Sequence, residues 1–232
     1  MGAVLAVHGA FVGGWYWDDV GQQLEKLGHQ STAVEQLPTS GADPAQFGDL
    51  ADDVAHVRDQ LDALDGPVTL IGHSGGGVAI TEVADHPAIG HTIYLAGLWP
   101  HAGESTVDLM ARLEIAGDWI VMRDDGVAHA TDDVELVRQR LFAELSQEEA
   151  VEAYSRFVMQ SMAPLMTPCE APARSHPTTF VICERDQVFP PSIQEQEAQR
   201  ADDVERLPCS HAASVVMPDK VAVIIDHTLR TG

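Results

Sequence analysis

Residues 68–71 (Val-Thr-Leu-Ile) run directly into Gly72-His73-Ser74-Gly75-Gly76, and a helical pattern over 75–84 follows. This succession constrains the chain more than any other feature. A short stretch that is β-branched or apolar throughout reads as a strand buried on both faces, as strands of parallel sheets are. A G-x-S-x-G pentad between such a strand and a helix demands a tight turn with the serine at its tip. Strand and helix then pass closely, so small residues are needed two places before and two after the serine. Gly72 and Gly76 supply them.

The same rhythm extends on either side. Ala3–Val7 reads as a strand, 15–27 as a helix ended by Gly28, and 30–34 as a second strand. A turn-rich loop over 38–44 leads to a long helical pattern over 46–64, which Asp65-Gly66-Pro67 stops. Residues 91–96 make the next strand. This β-α-β-α-β order predicts an α/β fold with a doubly wound parallel sheet and right-handed crossovers.

The rhythm then breaks, because the next convincing strand is Thr178–Cys183. About 80 residues intervene where one crossover takes roughly 30, so about 50 are extra. Helical patterns over 132–145 and 147–160 lie among them, the second opened by a Ser146/Glu149 capping box. Residues 119–122 and 127–130 suggest a hairpin turning at Asp125-Gly126. We read 1–232 as one domain with a lid inserted over about 100–168. After the insertion come a helix over 191–200, a last strand over 204–207 and a terminal helix over 218–229.

Bulk properties narrow the partners. The 13 Lys and Arg against 36 Asp and Glu give a net charge of −23, which excludes a basic stripe for nucleic acid and disfavours anionic membranes and substrates. The first apolar run is too short to cross a bilayer and carries no basic lead, so the expectation is a cytoplasmic protein. Cys169, Cys183 and Cys209 form no C-x-x-C pair and fit reduced thiols. Histidine and cysteine spacing offers no metal-ligand pattern, and neither metal nor organic cofactor is expected. The chain is compatible with a homodimer.

A serine hydroxyl needs a general base, and the base an orienting acid. Of eleven histidines, His211 is selected by place, between the last strand and the last helix. In a parallel sheet that loop opens on the same edge as Ser74. His227 falls within the terminal helix, His29 on the opposite edge, and His73 faces away from the serine hydroxyl. Asp186, three residues past the strand ending at Cys183, is the candidate acid, with Glu184 the alternative nearer the strand. The chain order Ser74, Asp186, His211 is serine–acid–histidine. Backbone N–H groups of Ala10, after the first strand, and Gly75, after the serine, are the candidate oxyanion donors. Phe11 and His73, with Trp119, Phe157 and Met162 from the insertion, are candidates for an apolar substrate pocket. Plain packing of the insertion on the sheet is the competing reading for each aromatic or methionine.

Taken together, V-H-G-A-F-V-G-G-W-Y-W, G-H-S-G-G-G, E-R-D-Q-V-F-P-P and S-H-A resemble the plant-type methyl esterase and hydroxynitrile lyase branch of the α/β-hydrolases and its bacterial esterase relatives. The resemblance spans nearly the whole chain, loosely over the insertion. It implies a six-stranded, mostly parallel sheet with a helical lid. It also implies hydrolysis of a small-to-medium neutral, apolar carboxylic ester, lactone or thioester through an acyl-enzyme. Lyase members place Thr or Asn where this chain has Gly9. Their Thr-type members also carry Glu at the position of His73 and Lys at that of Ala212. Without a cation at 212 departing cyanide would go unsteadied, so the departures favour the esterase side. A ligand receptor on the same fold with vestigial turnover is the alternative from another class.

Overall fold

The computed structural model describes residues 2–113, 115 and 117–231. Six strands build the main sheet: β1 (Ala3–Val7), β2 (Gln30–Ala33), β3 (Val68–His73), β4 (Ile89–Leu95), β5 (Thr178–Cys183) and β6 (Asp203–Leu207). All pair in parallel, in the spatial order β6-β5-β4-β3-β1-β2. The chain therefore runs outward from β1 to β2 and returns to the other side of β1 as β3. That reversal leaves a crevice beyond the carboxyl ends of β1 and β3, where sheets of this type bind ligands.

Alternate strand residues feed two cores. Val4 and Ala6 of β1 and Ile71 of β3 pack with Val20, Leu24, Val221 and Ile225 on one face. Leu5, Val7, Val68 and Leu70 pack with Val57, Leu61 and Ile80 on the other. The helices Asp18–Lys26 and Pro218–Thr231 thus cover one face, and Leu50–Asp62 and Gly76–Glu82 the other. Burial on both faces is why these strands lack a polar alternation.

The block between β4 and β5 holds the helices Thr106–Arg112, Val134–Leu141, Gln147–Ser155 and Ala163–Met166. It also holds an antiparallel hairpin, Ile120–Met122 with Val127–Ala130. The second hairpin strand pairs with Met159–Ser161, and that segment pairs in turn with Ser40–Gly41 from the loop after β2. This corrects two expectations. The helix expected over 147–160 stops at Ser155, and the loop over 38–44 contributes a strand. Backbone partners decide the outcome: Val158 N–H donates to Phe11 O (2.9 Å) and Ser161 N–H to Thr39 O (2.7 Å). Such long-range pairing overrides local helix preference. The helix expected over 46–64 begins at Leu50, because Asp49 and Asp52 form a reciprocal capping box there.

Candidate active site

Loops at the carboxyl edge of the sheet, one after each of its six strands, meet around one cavity of about 650 Å³. Ser74 follows β3 and has φ 49°, a left-handed conformation that side-chain-bearing residues adopt only when their surroundings impose it. The flanking glycines explain how the turn closes. A Cβ on Gly72 would stand 2.7 Å from Ile80 Cδ1, and one on Gly76 would stand 2.4 Å from His8 O. The Ser74 side chain is part-exposed and lines the cavity.

His211 follows β6 and is 2% exposed. Its Nδ1 stands 2.6 Å from Asp186 Oδ2, an oxygen that also accepts from Gln194 Nε2 at 2.9 Å. Asp186 Oδ1 accepts the N–H groups of Val188 and Phe189, both at 2.8 Å. Four donors therefore hold this carboxylate in one orientation, and Nδ1 of His211 carries its proton toward it. That leaves Nε2 as the basic nitrogen. Glu184, the alternative acid, is exposed. His211 and Ser74 line the same cavity, but no hydrogen bond joins them.

His73 lies beside His211, their ring centroids 4.7 Å apart. It is buried and stacks on Tyr16 (centroids 4.4 Å apart, planes at 21°), and its Nε2 donates to His211 O at 3.0 Å. Burial, reinforced by the neighbouring His211, holds its pKa well below the ordinary histidine value. His8 likewise falls to about 4 through burial. His8 Nδ1 lies 2.8 Å from Gly9 O, while its Nε2 accepts from Leu37 N–H at 3.2 Å. Both rings are thus neutral structural members, and His211 is the one paired with a carboxylate.

Ala10 and Gly75 face each other across the crevice: a Cβ on Gly75 would lie 3.4 Å from the Ala10 nitrogen. Neither N–H donates to any acceptor among the described residues. Two adjacent unpaired donors beside a serine are the arrangement an oxyanion requires. Phe11, with φ 65°, turns the chain just beyond, its N–H 3.3 Å from Gln160 Oε1.

Of the pocket candidates, Phe11, His73, Trp119 and Met162 line the cavity. Phe157 does not. It stands a layer back, packed among Trp15, Phe142 and Tyr154 with ring centroids 6.4, 6.0 and 5.4 Å away. Sequence reasoning passed over Gln194, which orients Asp186, and over Asp53, a buried cavity-wall carboxylate that accepts from Thr39 N–H (3.0 Å) and Oγ1 (2.7 Å). Among the described residues, no group of three or more His, Cys, Asp or Glu side chains is placed to hold a metal ion. No helix among them is long and apolar enough to cross a membrane.

Comparison with known proteins agrees with this architecture. A carbendazim-hydrolyzing esterase of Nocardioides sp. is 34% identical over 119 residues, covering 48% of each chain, so the match spans about half that relative's length. A pyrethroid hydrolase of Sphingobium wenxiniae is 28% identical over 242 residues, covering 96% of this chain and 85% of the relative. A crystal structure of a pyrethroid hydrolase from Sphingobium faniae superposes with a TM-score of 0.83 at 23% identity, covering 99% of this chain and 98% of that one. Polyneuridine aldehyde esterase superposes with a TM-score of 0.84 at 18% identity, covering 98% and 99%. The model of the alpha/beta hydrolase family matches residues 4–224, and the chain belongs to that family.

Proposed function

We propose that this protein hydrolyses a small-to-medium, neutral and largely apolar carboxylic ester, with Ser74 as nucleophile, His211 as general base and Asp186 as its orienting acid. One observation carries the reading: an imidazole locked onto a four-fold hydrogen-bonded carboxylate shares a cavity with a serine held at a strained turn. The relatives named as esterases and hydrolases support the bond type.

In this mechanism His211 Nε2 takes the Ser74 proton as Oγ attacks the ester carbonyl. The oxygen that becomes negative is received by the N–H groups of Ala10 and Gly75. Collapse of the tetrahedral intermediate expels the alcohol, which takes its proton from His211. Water, deprotonated by the same nitrogen, then releases the acid from the acyl-serine. Transfer requires hydroxyl and imidazole within about 3 Å, and both side chains line the same cavity.

The cavity volume suits a drug-sized molecule. Leu37, Leu98, Met110, Ile120, Phe142 and Leu165 are among its walls, which favours an apolar acyl or alcohol group. The net charge of −23 disfavours anionic esters. The inserted block supplies much of the wall and acts as a lid in this reading, within a single domain.

The test is hydrolysis of a short p-nitrophenyl ester by the purified protein and by Ser74→Ala. Turnover should fall roughly 10⁴–10⁶-fold in the variant, and a fluorophosphonate should add its mass at Ser74 of the wild type only. Equal rates in the two proteins would refute the assignment.

A further inference from the structure

Resting on that role for His211, we propose that Glu144 is a positioning residue which fixes the general base to the cavity wall. The residues on both sides of His211 are tied to one short stretch of the inserted block. Glu144 Oε1 accepts the Ser210 N–H at 2.8 Å, and its Oε2 accepts the Ser210 hydroxyl. Ser210 Oγ also lies 3.0 Å from Leu141 O, and Ala212 N–H donates to that same carbonyl at 2.9 Å.

The choice of Leu141 has a physical reason. It ends the helix Val134–Leu141, and the carbonyls of a helix's last turn have no N–H of the helix within reach. The histidine loop satisfies one of them. The turn beyond is braced by Arg138, whose Nη1 donates to the carbonyls of Ala143 (3.3 Å) and Leu145 (3.2 Å). Glu135 holds the guanidinium in place from the other side, at 2.8 Å from Nε and 2.7 Å from Nη2. Residues 141–145 therefore form a bracket rather than a pliable loop.

The bracket is also part of the substrate cavity, because Leu141 and Phe142 line it. A ligand pressing on that wall presses on the segment that carries the base. Two further ties complete the mounting of His211, the His73 Nε2–H donated to its carbonyl and the Asp186 carboxylate on Nδ1. Glu144 is the member that reaches outward, an exposed side chain whose removal leaves the apolar core untouched.

Glu144→Ala and Glu144→Gln test the assignment through kcat and KM on a short p-nitrophenyl ester, urea unfolding, and the downfield proton NMR signal of the Nδ1–H between His211 and Asp186. Misplacing a catalytic group by about 1 Å costs up to roughly 10²-fold, so kcat should fall about tenfold in Glu144→Ala with KM within about twofold. Glu144→Gln, which keeps one acceptor, should be intermediate. The Nδ1–H signal should broaden or shift in both. A Glu144→Ala protein that is folded, with wild-type kcat and an unchanged signal, overturns the proposal. So does a rate loss that merely tracks the unfolded fraction. If wild type itself leaves the ester intact, the esterase reading fails. The NMR signal of folded Glu144→Ala still decides the clasp, an unchanged signal overturning it.

Discussion

Gly9 lies directly against Ser74: a Cβ at position 9 would stand 3.1 Å from the serine Cβ and 2.9 Å from His73 Nδ1. The second atom belongs to a buried ring that also holds the His211 carbonyl, so it cannot swing clear. Gly9→Ala should therefore displace the nucleophile turn rather than be absorbed by a flexible neighbour. We expect kcat/KM on a short ester to fall by about 10–100-fold and stability by roughly 1–3 kcal/mol, as overpacking a tight site does. Steady-state kinetics and urea unfolding would check both. Wild-type kinetics in Gly9→Ala would show that the contact has no mechanical weight.

Asp186→Asn should be severe for a different reason. An amide can keep one oxygen on the Val188 and Phe189 N–H groups. Its NH2 then faces His211 Nδ1–H and Gln194 Nε2, setting donors against donors. The imidazole is driven toward the wrong tautomer, and kcat should drop about 10³–10⁴-fold with little change in KM. Asp186→Asn activity within tenfold of wild type would remove Asp186 from its proposed role.

The two sides of this site were unequally legible. Ala3–Val7 and Thr178–Cys183 are read from the string with their observed limits, because apolar runs bounded by turn formers leave few alternatives. That Asp186 and His211 meet at one edge is read from position, since every loop after a parallel strand opens there, while Glu184 in the same loop stays an alternative in the string. Ser40–Gly41 and Met159–Ser161 are too short to show a periodicity, and only their pairing, with each other and of the second with Val127–Ala130, makes them strands. Glu144 carries no local signal, as its partner Ser210 lies 66 residues away. Phe157 shows the limit of composition: an aromatic in the insertion can wall the pocket or pack the insertion on the sheet, and nothing in the string says which layer it occupies.

That difference in layer yields a contrast in behaviour. Phe157→Ala empties a site within an aromatic cluster, so it should cost about 2–4 kcal/mol of stability and change kcat/KM on a short ester by less than about threefold. Met162→Ala and Trp119→Ala enlarge the cavity itself. In those variants the ratio of kcat/KM for an octanoate over an acetate ester should rise about tenfold, the scale that a methylene or two sets in an apolar pocket. A Phe157→Ala protein that shifts the ratio as much as Met162→Ala would place Phe157 against substrate after all.

Asp53 predicts an unusual pH dependence of stability. Burial raises its pKa from 3.8 to about 7, despite the two hydrogen bonds from Thr39 that oppose the shift, and nearby Asp52 and Asp49 add to it. A raised acid binds its proton more tightly in the folded state than in the unfolded one. Its stabilising contribution is therefore complete below about pH 4 and is lost as pH rises through about 7. His8 and His73 act in the opposite direction, since their depressed pKa values make acid unfavourable to the fold. Wild-type stability alone mixes these opposing effects. The difference between wild type and Asp53→Asn isolates one of them, because the histidines are common to both. An Asn side chain can accept from Thr39 N–H and donate to Thr39 Oγ1, so the geometry is preserved while the titration disappears. Relative to wild type, Asp53→Asn should gain about 2–3 kcal/mol between pH 5 and pH 8. Urea unfolding at the two pH values measures this directly. A difference that stays constant, or moves the other way, would mean that the carboxyl is ionised throughout and that the cavity wall beside Thr39 carries a permanent charge.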